Sequence, residues 1–245
     1  MAAILLLATG GLLTAQHSYS RADIEDGGRT FRTNCVGCHG ADGDMVDGVD
    51  LGHGKFKRAT TDEGLVDIIL KGIPGTAMPP HQFPEFVAGT VVAYLHSLAT
   101  EGRTPIRGDA ERGKAIFDGK GGCTTCHRVH TTGSRVGPDL TEIGALRRVT
   151  DLETSLRDPN FEILPQNRFY RVITKSGETV AGRLLNEDTF SVQILDTQQH
   201  MRSFKRSNLR ESAFVDQSPM PSFQEKLTPG EFDDVVAYLA SLKGL

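Results

Sequence analysis

Cys35-Val36-Gly37-Cys38-His39 and Cys123-Thr124-Thr125-Cys126-His127 place all four cysteines of the chain in two copies of one pattern, C-x-x-C-H. Residues three and four apart share one face of a helical turn, so each copy aims two thiols and an imidazole at a single object. Such a set can bond the two vinyl groups of a porphyrin through thioethers and ligate its iron through the adjacent histidine, the attachment pattern of a c-type haem. Zinc normally asks for two further Cys or His ligands per pair, and neither copy offers a convincing set. A redox-active C-x-x-C does not need a following histidine, and a disulfide across so short a loop gains little. The expectation is two covalently bound haems, with His39 and His127 on the proximal side of iron.

The elements that position these groups must be small. The chain has 245 residues, room for one large domain or two to three small ones. Only 38% of it is hydrophobic, Trp is absent and Gly numbers 27, which fits folds whose core is partly a cofactor. With 27 basic and 31 acidic residues the net charge is −4, which argues against general nucleic-acid binding. Residues 2–13 are apolar, the length of a signal-peptide core and too short for a membrane span. The Lys or Arg expected before that core is missing. Residues 1–20 are therefore expected to be an export signal, with no membrane span in the mature chain and a periplasmic or otherwise exported location.

An internal repeat organises the rest. Gly28-Arg29-Thr30-Phe31 and Gly113-Lys114-Ala115-Ile116-Phe117 precede the two haem motifs, which are themselves 88 residues apart (35 and 123). Gly48-Val49-Asp50-Leu51 and Gly137-Pro138-Asp139-Leu140 follow them, 89 residues apart. Val91-Val92-Ala93-Tyr94-Leu95 reappears as Val235-Val236-Ala237-Tyr238-Leu239 at an offset of 144. The second copy has thus gained about fifty residues before its last helix. Helical patterns are expected over 24–34, 62–71 and 86–98 in the first copy, and over 110–118, 151–157 and 231–242 in the second. Thr228-Pro229 is a good start for the last of these.

These features resemble class I cytochromes c, in particular dihaem members built from two such domains. The resemblance implies a mainly α fold with domains over 21–103 and 104–245, the second interrupted over 165–215. It implies that the first and last helices of each domain cross. It also implies a loop carbonyl that orients the proximal imidazole: Pro138 matches the usual loop proline, whereas Val49 replaces it in the first copy. A loop methionine is the distal ligand in that family. Of Met1, Met45, Met78, Met201 and Met220, two lie in matching settings, Ala77-Met78-Pro79 and Pro219-Met220-Pro221. Proline stiffens both loops just before the closing helix, and their offset of 142 nearly equals that of the helices. Met45 is too close to His39 to reach the far face. His81 and His130 are the competing ligands. The haem sites are accordingly Cys35, Cys38, His39 and Met78 in one copy, and Cys123, Cys126, His127 and Met220 in the other.

Residues 168–211 change character. The runs 168–174, 179–184, 189–195 and 200–205 are rich in β-branched and aromatic residues and are separated by turn chemistry, and Phe190, Val192 and Ile194 alternate at period two. Four or five strands at this spacing suggest a small antiparallel β-barrel. The run from Val172 to Leu185 resembles the first half of an Sm-like or SH3-like barrel, in which Gly182 would allow a sharp strand bend. Relatives of that kind bind RNA. Their second-half signature is not evident, and Arg202, Lys205, Arg206 and Arg210 alone do not argue for it.

The resemblance implies an electron-transfer protein rather than an enzyme. It would carry single electrons from an exported dehydrogenase, such as a quinoprotein dehydrogenase, to a downstream cytochrome or oxidase. Dihaem peroxidases and thiosulfate-oxidising cytochromes also carry two such motifs. A methionine in both loops and the absence of a spare cysteine speak against them. A fixed subunit of a larger complex is the third class, and sequence hardly separates it from a free carrier.

Overall fold

The computed structural model describes residues 19–101 and 104–244. Apart from Tyr19 and Ser20, the expected signal segment lies outside the described residues. The helices are α1 (Arg21–Asn34), α2 (Val36–His39), α3 (Asp62–Lys71), α4 (Glu85–Glu101), α5 (Ala110–Asp118), α6 (Ile143–Leu146), α7 (Val149–Arg157) and α8 (Pro229–Ser241). A two-residue hairpin, β1 (Arg128–Val129) and β2 (Thr132–Gly133), follows the second haem motif. Between α7 and α8 run β3 (Phe169–Thr174), β4 (Thr179–Glu187), β5 (Ser191–Asp196), β6 (Met201–Lys205) and β7 (Leu209–Phe214). Among the described residues no helix is long and apolar enough to cross a membrane.

Two compact units are present, Met1–Phe31 with Arg58–Ser97, and Arg32–Lys57 with Leu98–Leu245. In the first, α1 approaches α4 at Gly27, where any Cβ would collide with the carbonyl of Thr90. One turn further on, Phe31 packs against Tyr94 with the rings tilted and their centroids 5.5 Å apart. Helix α3 begins at Thr61, whose hydroxyl accepts the Gly64 N–H at 3.2 Å. Ahead of α1, Tyr19 donates to Asp62 at 2.5 Å, and the other Asp62 oxygen lies 2.7 Å from His96 Nε2.

The second unit repeats this scheme on α5 and α8. Gly113 takes the part of Gly27 and meets the Asp234 carbonyl, while Phe117 packs edge-on against Tyr238 at 5.3 Å. The equivalent glycine of the first copy is therefore Gly27, not Gly28: Gly27 and Phe31 both lie 86 residues before their counterparts. Asp234 is buried on α8 and accepts both the Asp109 N–H and a paired contact from the Arg112 guanidinium, which fastens the start of α5 to α8. Helix α8 carries the expected capping box, Thr228 with Glu231. Its apolar face packs with Phe117, Leu152, Leu156 and Phe223 into one core.

The inserted strands form a five-stranded antiparallel sheet in the order β6-β5-β4-β3-β7. Tyr170, Val172, Val180, Val192 and Ile194 make its core. Four strand spacings of about 4.8 Å would separate β6 from β7 by about 19 Å in a flat sheet, yet only four Cα steps, at most about 14 Å, join Lys205 to Leu209. The sheet must therefore curl, helped by a bulge between Leu184 and Asn186 and another between Ile173 and Thr174. No ladder pairs β6 with β7 among the described residues, so the five strands where a small antiparallel β-barrel is expected make a curled sheet without hydrogen-bonded closure. Gly182 lies in regular β4 register, and its need is for close approach: a Cβ there would strike the Leu195 carbonyl. The insert leaves and rejoins the helical unit at adjacent points, since the Asn160 side chain accepts the Ser218 N–H at 2.8 Å.

Candidate haem sites

Both C-x-x-C-H segments form the same helical turn. His39 N–H donates to Cys35 O at 2.9 Å and His127 N–H to Cys123 O at 2.8 Å, with Cys38 and Cys126 bonded likewise at 3.1 Å. No disulfide joins any of the four cysteines. Burial pushes the Cys35 and Cys123 thiols up to about 11. Among the described residues no three His, Cys, Asp or Glu side chains converge as a metal-binding group.

Around His127 the geometry is complete on the proximal side. The imidazole Nδ1–H donates to Pro138 O at 2.9 Å, and the loop is held by Gly137 N–H to Cys126 O at 2.6 Å. A Cβ on Gly137 would sit 3.0 Å from the imidazole, so glycine lets the loop lie against the ring. Burial lowers the basicity of His127 more than the Pro138 bond restores it. A neutral imidazole with Nδ1 engaged in this way presents Nε2 to a metal. Met220 packs against the same core cluster as Cys123. Thiols, imidazole Nε2 and thioether sulfur thus suit a covalently held haem.

The two methionine loops are built alike, by residues that sequence reasoning passed over. Thr76 and Ser218, each two residues before the methionine, accept the Met78 and Met220 N–H groups, both at 3.2 Å. Three residues after each methionine a backbone N–H anchors the loop to a helix: His81 to Ile69 O at 3.1 Å, and Phe223 to Leu156 O at 2.8 Å. The hydroxyls were legible as the same residue type at an offset of 142. His81 occupies the place of the buried Phe223 and stacks on Phe83 at 5.2 Å. His130 is a turn residue with φ 53, bonded through its N–H to Thr141. Met45 and Met201 are 61% and 68% exposed. Met78 belongs to the first unit, and Cys35, Cys38 and His39 to the second.

The first motif is clamped at both ends within the second unit. Before it, Arg32 bonds Glu162 at 2.7 Å, and Arg147 reaches the other oxygen of Glu162 at the same distance. After it, Ala41 N–H donates to Ala145 O at 3.0 Å, and buried Arg148 lies 3.4 Å from Asp42 and 3.5 Å from Glu101. Burial alone would raise Glu162, but Arg32 and Arg147 outweigh it and hold the carboxyl below its ordinary 4.5.

Residues 22–95 match the family described as cytochrome c oxidase, cbb3-type, subunit III, and residues 110–189 match the family described as cytochrome c. The chain is a dihaem c-type cytochrome. Two cytochrome c domains carry two covalently bound c-type haems. The second match ends between β4 and β5, before the Met220 loop and α8. No curated protein matches the cytochrome. Among solved structures, a chain of the Kuenenia stuttgartiensis reducing HAO-like protein complex is 19% identical; the alignment covers 89% of this chain and 96% of that one, with a TM-score of 0.27.

Proposed function

We propose that the cytochrome is a periplasmic carrier of single electrons between an exported dehydrogenase, quinoproteins included, and a downstream cytochrome or oxidase. Each haem supplies a one-electron Fe(III)/Fe(II) couple. The chain's part is to hold and tune it: Cys35, Cys38, Cys123 and Cys126 attach the porphyrins, His39 and Met78 ligate one iron, and His127 and Met220 the other. Residues 21–103 and 104–245 are read as the two domains, with 165–215 inserted in the second. The observation that carries this reading is the pairing of a Pro138-oriented His127 with a methionine loop built identically in both copies. Two six-coordinate irons leave no position for substrate, which favours electron transfer over bond chemistry. Redox titration with optical spectra tests it. The expected result is two haems per chain, two one-electron waves, and sulfur-to-iron charge-transfer absorption from both. A high-spin iron, or peroxide turnover by the reduced protein at an enzymatic rate, would overturn it.

A second reading is a fixed subunit of a larger complex. The first matched family is named for an oxidase subunit, which favours it. Native mass measurement on protein from source cells separates the two: a free carrier appears alone with two haems, and a subunit in stable association.

A further inference from the structure

Two arginines of the basic cluster legible on the insert, Arg202 and Arg206, are neutralised, as is Arg171 on β3. Arg202 pairs with Glu178 and lies near Asp196, Arg206 pairs with Glu187, and Arg171 pairs with Glu211. In a different set of three arginines, two are not. Arg128, Arg135 and Arg183 line a polar cleft of about 330 Å³ together with Gly137 and Asp139. Arg128 and Asp139 belong to the flanks of the His127 loop, while Arg183 comes from β4 of the insert. Asp139 is committed to Arg128, which reaches it through two nitrogens at 2.9 and 2.5 Å. Among the described residues no ion pair involves the guanidinium of Arg135 or Arg183. Their positions are set by backbone. Arg135 N–H donates to Gln199 Oε1 at 3.1 Å, so the β5–β6 turn holds this loop, and Arg183 is locked in register opposite Phe169 and Leu195.

Three guanidiniums around one recess, with a single carboxylate already spoken for, repel one another unless an anion joins them. The volume lies at the lower end of the roughly 300–1,000 Å³ of small-molecule sites, and the polar lining excludes an apolar ligand. Guanidinium forks match planar carboxylates and tetrahedral oxyanions through paired N–H contacts. We infer that this cleft is a binding site for a small oxyanion, assembled where the insert meets the His127 loop. An occupant would lie against Gly137 and Asp139, the residues that flank the Pro138 carbonyl. The inference does not rest on the electron-carrier reading, and either can fail without the other.

Calorimetry on the holoprotein with inorganic phosphate, and separately with malonate, at ionic strength held constant by chloride, tests it. The expected result is saturable one-to-one binding of one or both probes, weakened at least about tenfold in Arg183→Gln and in Arg135→Gln. Arg183→Lys, which keeps the charge and loses the fork, should fall between. Arg210→Gln, on β7 outside the cleft, should bind as the native protein does. Preference for phosphate or malonate assigns the anion to the tetrahedral or the carboxylate class. Absence of saturable binding, or equal weakening by Arg210→Gln, overturns the site. Binding only of an acidic protein surface, with neither small anion retained, overturns it as well.

Discussion

At the residue scale, chemistry depends on a few side chains whose partners the fold supplies. Met220 packs against the same core as Cys123, and its N–H is tied to Ser218. Met220→Ala should therefore remove about half of the sulfur-to-iron charge-transfer absorption and lower one reduction potential, leaving the other wave in place. Optical redox titration of the variant beside the native protein measures both effects. Loss of the whole band would mean that the two methionines do not serve separate irons. Gly113 is a different kind of residue, needed for what it lacks. A Cβ there would run into the Asp234 carbonyl, so Gly113→Ala must force α5 from α8 or fail to fold. A loss of about 3 kcal/mol or more is expected from denaturant unfolding. Arg112→Ala, which leaves Asp234 without its guanidinium, should cost less because Arg112 is mostly exposed.

At the element scale, the segment carrying the first haem motif is pinned by charge at one end and by a buried arginine at the other. Glu162 is the centre of the first clamp, with Arg32 and Arg147 on its two oxygens. Its side chain and those of both arginines are 12–14% exposed, so removing the carboxylate takes the shared partner from two nearly buried cations, of which Arg32 keeps Asp151 at 3.7 Å. Glu162→Gln should cost about 3 kcal/mol in chemical denaturation at neutral pH. The pH dependence follows from the direction of the shift. A carboxyl held below its ordinary 4.5 stabilises the fold above that pH, and the benefit fades as pH falls through its lower native value. The gap between native and Glu162→Gln unfolding curves should therefore be widest near neutrality and shrink below pH 4.5. A gap independent of pH would show that the clamp acts by packing and not by charge.

At the scale of the whole molecule, the insert is attached in a way that makes it separable. Val215 N–H returns to Phe169 O at 2.7 Å, and Ser218 meets Asn160, so both ends of the sheet lie together. Replacing residues 165–215 by a short Gly-Ser linker should leave a protein that still attaches two haems with methionine ligation. The same variant should lose oxyanion binding, because Arg183 and the Gln199 contact to Arg135 go with the sheet. Absorption spectra and phosphate calorimetry on one sample check both halves. If the second haem loses its methionine signature instead, the insert is needed to hold the Met220 loop.

Local order was legible because it is written in short spacings. Both C-x-x-C-H copies form a helical turn, and the matching offsets of Cys123, Met220 and Tyr238 pointed to two haem motifs and the closing helices. Four strands of the insert were readable from β-branched and aromatic runs between turn residues, while β7 was not, since its side chains are mostly exposed and show no alternating burial. Hairpin β1–β2 is too short to leave a period. What the tertiary structure decided is which distant residues meet. Arg128, Arg135 and Arg183 have no mutual spacing in sequence, and neither do Arg32, Arg147 and Glu162. Such groups converge only through strand register, loop closure and helix packing, which act between residues tens to more than a hundred positions apart. The same physics chose an open curled sheet: turn lengths can be read along the chain, but hydrogen-bond closure between β6 and β7 depends on how far five strands coil in space.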